Sequence, residues 1–377
     1  MSGHADKKKH GKWRCLLFIA LVMSLTGVSA QEEKLRVGFI CAATADHPFW
    51  GQVIQVMQAA ANDLNIDLII KYDPTRSTYA TKKIGSQLIN SEPKLDYLLT
   101  KYWLGVTATH IEQARQRGIK VFIFNSDVPE SEYEATGRFP RQKYTNWIGH
   151  MVPDDNQAGY DLAKILIERA REIKSTREKK RIRVLGLNGP FESTVGTNRL
   201  GGLKKRIQET PDAVLEDTVV TNWMADDADK SIVNLLKLHP DTDVLWAPNE
   251  SITWGAVQAA EHSGKTPGKD IVIGGFDWNA ESIKAIADGR IAASMFGHFL
   301  EGAWALILVN DYHYGFDFAN NPGTRISTPL AVIDAGNYER YITLLRKDSW
   351  EKIDFRKFSK KYNPELKEYN FNINQFL

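Results

Sequence analysis

Short apolar runs alternate with longer amphipathic runs along most of this 377-residue chain, and this alternation limits its fold more than any other feature. The apolar runs, such as 35–41 and 66–72, have the length and β-branched content of single strands. The intervening runs, such as 49–64 and 76–90, place apolar residues at helical spacing. Strands that alternate with helices indicate βαβ units and parallel sheets. The sequence therefore predicts an α/β protein.

The alternation falls into two series, separated near Gly149. The predicted strands of the first series are 35–41, 66–72, 97–100 and 120–124, and those of the second are 182–187, 213–220, 244–247, 270–274 and 290–295. Each series predicts a doubly wound parallel sheet, and such sheets bind ligands outside the carboxyl ends of their strands. Two lobes that face each other predict a binding cleft between them. Both a binding protein and a two-domain enzyme fit this pattern.

The first 30 residues have the layout of an export signal. A lysine- and arginine-rich start precedes the apolar segment 16–28, which is shorter than the ~20 residues of a membrane-spanning helix. The small residues Val28-Ser29-Ala30 predict cleavage after Ala30, although an uncleaved anchor is the alternative. We therefore expect an exported, soluble protein whose remaining cysteine, Cys41, is a buried strand residue; whether Cys41 is reactive stays open.

Charge and motifs argue against several functions. A net charge of +2 gives no strong attraction to nucleic acid. The sequence has no G-x-S-x-G, phosphate-loop or G-x-G-x-x-G motif, and His47, His150 and His298 lack the spacing of metal ligands. We therefore expect no enzymatic activity, no metal and no cofactor.

Two adjacent aromatic residues follow the first strand, in the run His47-Pro48-Phe49-Trp50. Pro48 fits the first turn of a helix, where its missing N–H has no cost. Neighbouring helix residues point about 100° apart, so we expect at least one of the two rings to line the cleft. A flat aromatic face suits the apolar C–H face of a sugar ring.

From this loop onward the sequence resembles the ribose-binding family of periplasmic proteins, a type I sugar-binding group. The resemblance continues to about Ile333, and its sharpest match is a strand that ends in Gly275-Phe276-Asp277. It implies two lobes joined by a three-strand hinge, with crossovers near Gly149, Gly297 and Thr328, and a sugar-like ligand whose binding closes the hinge.

The resulting domain prediction has four parts. Residues 1–30 form the signal peptide, 31–150 with 298–328 the N-terminal lobe, 151–297 with 329–347 the C-terminal lobe, and 348–377 a tail of no assigned function.

The resemblance also implies a ligand site with residues from both lobes. The expected contributors are His47, Phe49, Trp50, Thr100 and Asn125 from the first lobe, and Arg199, Trp223, Asn249, Asp277 and His298 from the second lobe and hinge. Asp277 is expected to accept hydrogen bonds from sugar hydroxyls, with Arg199 as its charged partner. Asn125-Ser126 stands where many family members carry Asp followed by Arg. At this position Asn125 is more similar to the related autoinducer-binding receptors.

Four functions fit this layout to different degrees. The first is delivery of a sugar-like solute to the permease of an ABC importer, by a periplasmic monomer with no nucleic-acid partner. The alternative is sensing, in which the closed protein contacts a membrane sensor kinase or cyclase; Asn125-Ser126 and the tail favour it. An enzyme lacks a visible nucleophile and base, and a sugar repressor requires a DNA-binding domain where this chain has its export signal.

Overall fold

The computed structural model describes residues 1–4, 33–75, 77–174, 181–191, 193–345 and 349–376. The chain divides into two compact units, Met1–Glu33 and Lys34–Leu377. In the first unit the described residues carry no regular structure, and the predicted signal peptide and its cleavage site lie almost entirely outside the described residues.

The second unit follows the predicted alternation of strands and helices. In chain order its elements are β1 (Leu35–Cys41), α1 (Pro48–Asp63), β2 (Ile66–Tyr72), α2 (Thr78–Ile89), β3 (Tyr97–Thr100), α3 (Thr107–Gln116), β4 (Lys120–Phe124), α4 (Tyr133–Thr136), β5 (Trp147–Pro153), α5 (Asp155–Lys174), β6 (Ile182–Asn188), α6 (Thr194–Gln208), β7 (Ala213–Val220), α7 (Ala225–Leu238), β8 (Val244–Trp246), α8 (Glu250–His262), β9 (Val272–Phe276), α9 (Ala280–Ala287), β10 (Ala293–Phe296), α10 (Glu301–His313), β11 (Arg325–Thr328), β12 (Ala331–Asp334) and α11 (Tyr338–Ile342).

The strands form two separate six-stranded sheets. The first has the order β11-β5-β4-β3-β1-β2, and all its neighbours are parallel. The second has the order β12-β10-β9-β8-β6-β7 and is parallel except for the antiparallel pair β10–β12. Helices cover both faces of such sheets, which is why the strands are apolar almost throughout. The prediction of two doubly wound α/β lobes is confirmed.

The chain passes between the two sheets after β5, after β10 and after β11 in the part that the structure describes. We call residues 34–153 with 298–328 the first lobe, and 154–297 with 329–345 the second lobe. Gly149 lies inside β5, so the first crossover follows Pro153 rather than Gly149. The strand was missed because Gly149, His150 and Pro153 interrupt its apolar pattern, although every residue in it is buried.

The residues after β12 pack against both lobes. In α11 the ring of Tyr341 lies 4.7 Å from that of Phe296 in the second lobe. Residues 349–376, which we call the C-terminal segment, pack against α10 of the first lobe. There the indole of Trp304 contacts the rings of Phe371, at 5.2 Å, and Phe376, at 5.4 Å. The segment is therefore part of the hydrophobic core.

A buried carboxylate fixes the C-terminal segment to α10. Asp311 is fully buried, and its oxygens accept hydrogen bonds from the Ser359 hydroxyl, the Lys360 and Lys361 main-chain N–H groups and the Tyr369 hydroxyl. Such a charge is tolerated in a core only when its hydrogen-bonding capacity is filled.

Within the described residues, no helix combines the length and the apolar character needed to cross a membrane.

Candidate functional site

A cavity of about 440 Å³ lies between the two lobes, at the carboxyl ends of their strands. This is the position at which open parallel sheets bind ligands. Apart from Thr100, the residues predicted to form the site all line it: His47, Phe49, Trp50, Asn125, Arg199, Trp223, Asn249, Asp277 and His298.

Thr100, the remaining residue predicted for the site, does not line the cavity. Thr100 ends β3 and is fully buried within the first lobe, where its hydroxyl donates to the main-chain carbonyl of Lys101. The cavity wall is formed by the residues that follow the strand, Lys101, Tyr102 and Trp103, because they leave the sheet toward the second lobe.

The loop after β1 places two aromatic rings in the cavity wall. His47 caps α1 by accepting the Trp50 main-chain N–H at its Nδ1, at 3.3 Å, and this fixes the start of the helix. Phe49 stacks on the imidazole of His298, with ring centroids 4.7 Å apart. Trp50 is largely buried and packs edge-on against Phe49 and Phe124. Both rings reach the cavity, and Trp50 also belongs to the core.

Trp223 is held in the opposite wall by a glycine. The Trp223 backbone has φ +68°, which is uncommon for a residue with a side chain. A methyl group on Gly189 would lie 2.0 Å from the Trp223 indole, so only glycine allows this close approach. The ring is thus positioned by the backbone of the loop after β6 as well as by its own strained conformation.

Arg199 is a buried cation with a full set of partners. Its Nε donates to Asp155 Oδ1 at 2.7 Å, and its Nη1 donates to the Pro248 carbonyl at 2.7 Å. Its guanidinium also lies 4.1 Å from the ring centroid of Phe276. Burial raises the pKa of Asp155, while Arg199 and His298 oppose that rise. Asp155 is not among the residues that the sequence predicted for the site, so its ion pair with Arg199 was missed.

His298 stands between Arg199 and Asp277. Its Nε2 is 3.1 Å from Asp277 Oδ1 and 3.1 Å from Arg199 Nη2. Arg199, the expected charged partner of Asp277, therefore acts on that carboxylate across the imidazole that lies between them. Burial acts to raise the pKa of Asp277, but His298, Arg199 and His47 outweigh it, and the pKa lies below its ordinary value. Asp277 thus presents a carboxylate to the cavity at neutral pH.

The same buried network reaches the hinge. Glu301 follows the second crossover, is fully buried, and accepts a hydrogen bond from the hydroxyl of Thr328 at the third crossover. Burial, together with the negative charge of Asp155, raises the pKa of Glu301 well above its ordinary value. The buried charges of Asp155 and Arg199 thus act on Glu301, which is hydrogen-bonded to Thr328 at the third crossover.

Direct hydrogen bonds join the two lobes around the cavity. The Gln52 side chain in α1 donates to the Trp278 carbonyl at 2.6 Å and accepts from the Trp278 indole N–H at 2.8 Å. At the outer edge the Asp127 main-chain N–H donates to the Thr194 hydroxyl at 3.0 Å. The two lobes are therefore in contact on more than one side of the cavity.

Charges in the cavity are balanced. Asp155 balances Arg199, and Arg325 pairs with Asp127. Lys101 Nζ lies 3.8 Å above the Trp103 ring. Within the described residues, no group of three or more His, Cys, Asp or Glu side chains is arranged to hold a metal ion. Aromatic faces beside hydrogen-bonding groups of both kinds suit a neutral, polyhydroxylated molecule.

Comparison with known proteins agrees with this architecture. The family model for the periplasmic binding protein domain matches residues 37–312. This chain belongs to that family of binding proteins.

Individual relatives are also binding proteins. The ribose import binding protein RbsB of Bacillus subtilis (strain 168) is 23% identical over 271 residues, which are 71% of this chain and 77% of that protein. A periplasmic sugar-binding protein from Pseudomonas fluorescens superposes with a TM-score of 0.80 at 28% identity, covering 91% of this chain and 99% of that one.

A third protein shows the fold alone, because it is only 18% identical. It is the periplasmic binding protein component of the arabinose ABC transporter from Shewanella sp. ANA-3, bound to L-arabinofuranose. It superposes with a TM-score of 0.68 and covers 84% of this chain and 98% of that one.

Proposed function

We propose that this protein captures a neutral, sugar-like solute between its two lobes and delivers it to an ABC importer. The observation that carries the proposal is the cavity itself, in which an ionised Asp277, Asn249 and Asn125 face one another across the two lobes among aromatic rings. The ribose import binding protein described above matches 71% of this chain, which supports import as the purpose of binding.

Each part of the cavity has a separate task in this proposal. Asp277 accepts hydrogen bonds from two neighbouring hydroxyls, and a bond to a charged group is worth about 1.5–3 kcal/mol. Asn125 offers a donor and an acceptor, whereas Asn249 Oδ1 already accepts the Ile252 main-chain N–H and leaves its amide N–H groups to donate. Together they select for hydroxyls at defined positions. Phe49 and Trp223 bury the C–H faces of the ring.

Binding and closure are coupled because the cavity has walls in both lobes. A solute that contacts only the second lobe gains nothing from closure, whereas one that also reaches Asn125 favours the closed state by its additional contacts. Gln52–Trp278 and Asp127–Thr194 then hold the lobes together. The closed pair of lobes is the surface that the permease recognises.

Export to the periplasm belongs to the same proposal. The N-terminal sequence supports it through its basic start, its short apolar segment and the small residues before position 31. We propose that the signal is removed after Ala30 and that the remaining chain acts as a monomer without a cofactor.

The test combines ligand binding by the purified protein with solute uptake in a strain that lacks its gene. In a thermal-shift screen of neutral sugars and polyols, at least one compound is expected to raise the melting temperature by mass action. The wild type is expected to restore uptake of that compound in a strain that lacks the gene, and D277N is expected to fail. If a compound binds and its uptake does not need the protein, sensing replaces import; if none of the compounds binds, sugar capture is refuted.

A further inference from the structure

The cavity between the lobes is larger than one sugar ring requires. A hexose has about twelve non-hydrogen atoms, and even at the ~30 Å³ that a whole water molecule occupies they fill about 360 Å³. Bonded atoms occupy less than this upper bound. The cavity holds about 440 Å³, so a single ring leaves part of it unfilled.

A second concavity continues the first at its outer edge. This outer groove, of about 510 Å³, is bordered by both lobes and shares Leu104, Asp127, Pro129 and Thr194 with the inner cavity. The hydrogen bond between Asp127 and Thr194 marks the boundary between them.

The first turns of α6 link the two spaces. Thr194, Val195 and Arg199 line the inner cavity, while Thr197 and Asn198, on the same helix, line the outer groove. A molecule that extends along this helix therefore contacts both spaces once the hydrogen bond between Asp127 and Thr194 opens.

The outer groove has the composition of a carbohydrate subsite. Tyr133 from the first lobe and the exposed ring of Phe191 from the second lobe supply aromatic surface. Ser131, Thr197 and Asn198 supply hydroxyl and amide groups between them. A purely apolar groove would indicate a lipid or an aromatic molecule, whereas this mixture suits a second polyhydroxylated ring.

We propose that the ligand is a disaccharide-sized glycoside, with one ring in the inner cavity and the second in the outer groove. This inference rests on the proposed function and specifies its substrate class. Asp277, with His298 and Arg199 beside it, holds the inner ring, and Phe191 and Asn198 hold the outer ring.

The test is calorimetric titration of the wild-type protein with matched sugars: glucose, galactose, ribose and arabinose, and the disaccharides cellobiose, maltose, lactose and melibiose. At least one disaccharide is expected to bind about tenfold or more tightly than each of its component monosaccharides, a difference of ~1.4 kcal/mol. In the double variant F191A/N198A this advantage is expected to fall to about twofold, with monosaccharide binding unchanged. Both replaced side chains belong to exposed residues, so folding is not at risk.

The control variant is Y79A, which removes an exposed aromatic ring from α2 outside both concavities and is expected to leave all affinities unchanged. A monosaccharide that binds as tightly as any disaccharide overturns this inference and leaves sugar capture intact. A disaccharide preference that persists in F191A/N198A also overturns it. If none of the eight sugars binds, the proposed function and the inference fall together.

Discussion

Replacement of Arg199 by methionine tests the central buried ion pair of the second lobe. The side chains of Arg199 and Asp155 are only 2% and 5% exposed, and their N–O distance is 2.7 Å. Removing one partner of such a pair leaves an uncompensated buried charge and costs about 3–5 kcal/mol. For a lobe of this size each kcal/mol lowers the melting temperature by about 2–4 °C, so we expect R199M to lower it by about 6–20 °C.

The control is R117M, which breaks the exposed pair between Arg117 and Glu92, whose side chains are 32% and 70% exposed. Surface pairs contribute about 0–1 kcal/mol, so its melting temperature is expected to stay within about 4 °C of the wild type. Scanning calorimetry measures both variants. A loss for R199M no greater than that for R117M refutes the reasoning.

The decrease in melting temperature in R199M also depends on pH. Burial raises the pKa of Asp155, and removal of Arg199 takes away an opposing influence. A carboxyl group whose pKa is raised on folding contributes stability at low pH that disappears as pH rises through its folded pKa. The difference between R199M and wild type is therefore expected to be smaller at acidic than at alkaline pH, and an unchanged difference contradicts the assignment to Asp155.

Three further predictions follow from other contacts. Burial, with repulsion from Asp277, raises the pKa of the partly buried Glu250 to about 8. The stability that the protonated Glu250 contributes is lost as pH rises through that pKa, so above pH 8 we expect E250Q to have a higher melting temperature than the wild type. Equal melting temperatures above that pH contradict this prediction. Q52L removes both hydrogen bonds to Trp278 and is expected to weaken ligand binding at least about fivefold by calorimetry, since each of the two neutral bonds contributes about 0.5–1.5 kcal/mol. Unchanged affinity shows that the contact does not favour closure. D311N removes a charge that accepts several hydrogen bonds from the C-terminal segment, so we expect amide hydrogen exchange in residues 355–376 to become more than tenfold faster. A uniform change in exchange across the chain contradicts the idea that Asp311 anchors this segment locally.

The fold could be predicted because the alternation of elements is strong and local. The strand Ala213–Val220 was predicted with its observed bounds. The strand predicted at 270–274 lies at Val272–Phe276 instead, because Phe276 still pairs with Met295 in β10. Such pairing is a tertiary contact, and the local pattern does not contain it.

The site was predictable where residues follow strands and unpredictable where distant residues pair. Asp277 comes directly after β9 and Asn249 stands a short turn after β8, and both line the cavity as expected. Asp155 looks like an ordinary helix-start acid until Arg199, 44 positions away, is brought against it. Glu301 gives no local signal either, because its burial depends on the packing of three crossovers.

The C-terminal segment was unassigned for a different reason. Its aromatic residues lie in short 3₁₀ turns such as Phe355–Phe358 and Ile373–Phe376, which have neither helical nor strand periodicity. Their common partner is Trp304, on a helix buried along most of its length. Only the folded arrangement shows that these rings complete the core of the first lobe.

The most direct test of capture between the lobes is a crystal structure of the protein with a bound sugar selected by the titrations. We expect electron density for the sugar between the lobes, with hydroxyls within hydrogen-bond distance of Asp277 and Asn249 on one side and of Asn125 on the other. Density for the sugar on the outer surface of one lobe, with the cavity filled only by water, would contradict the claim that the two lobes capture it between them.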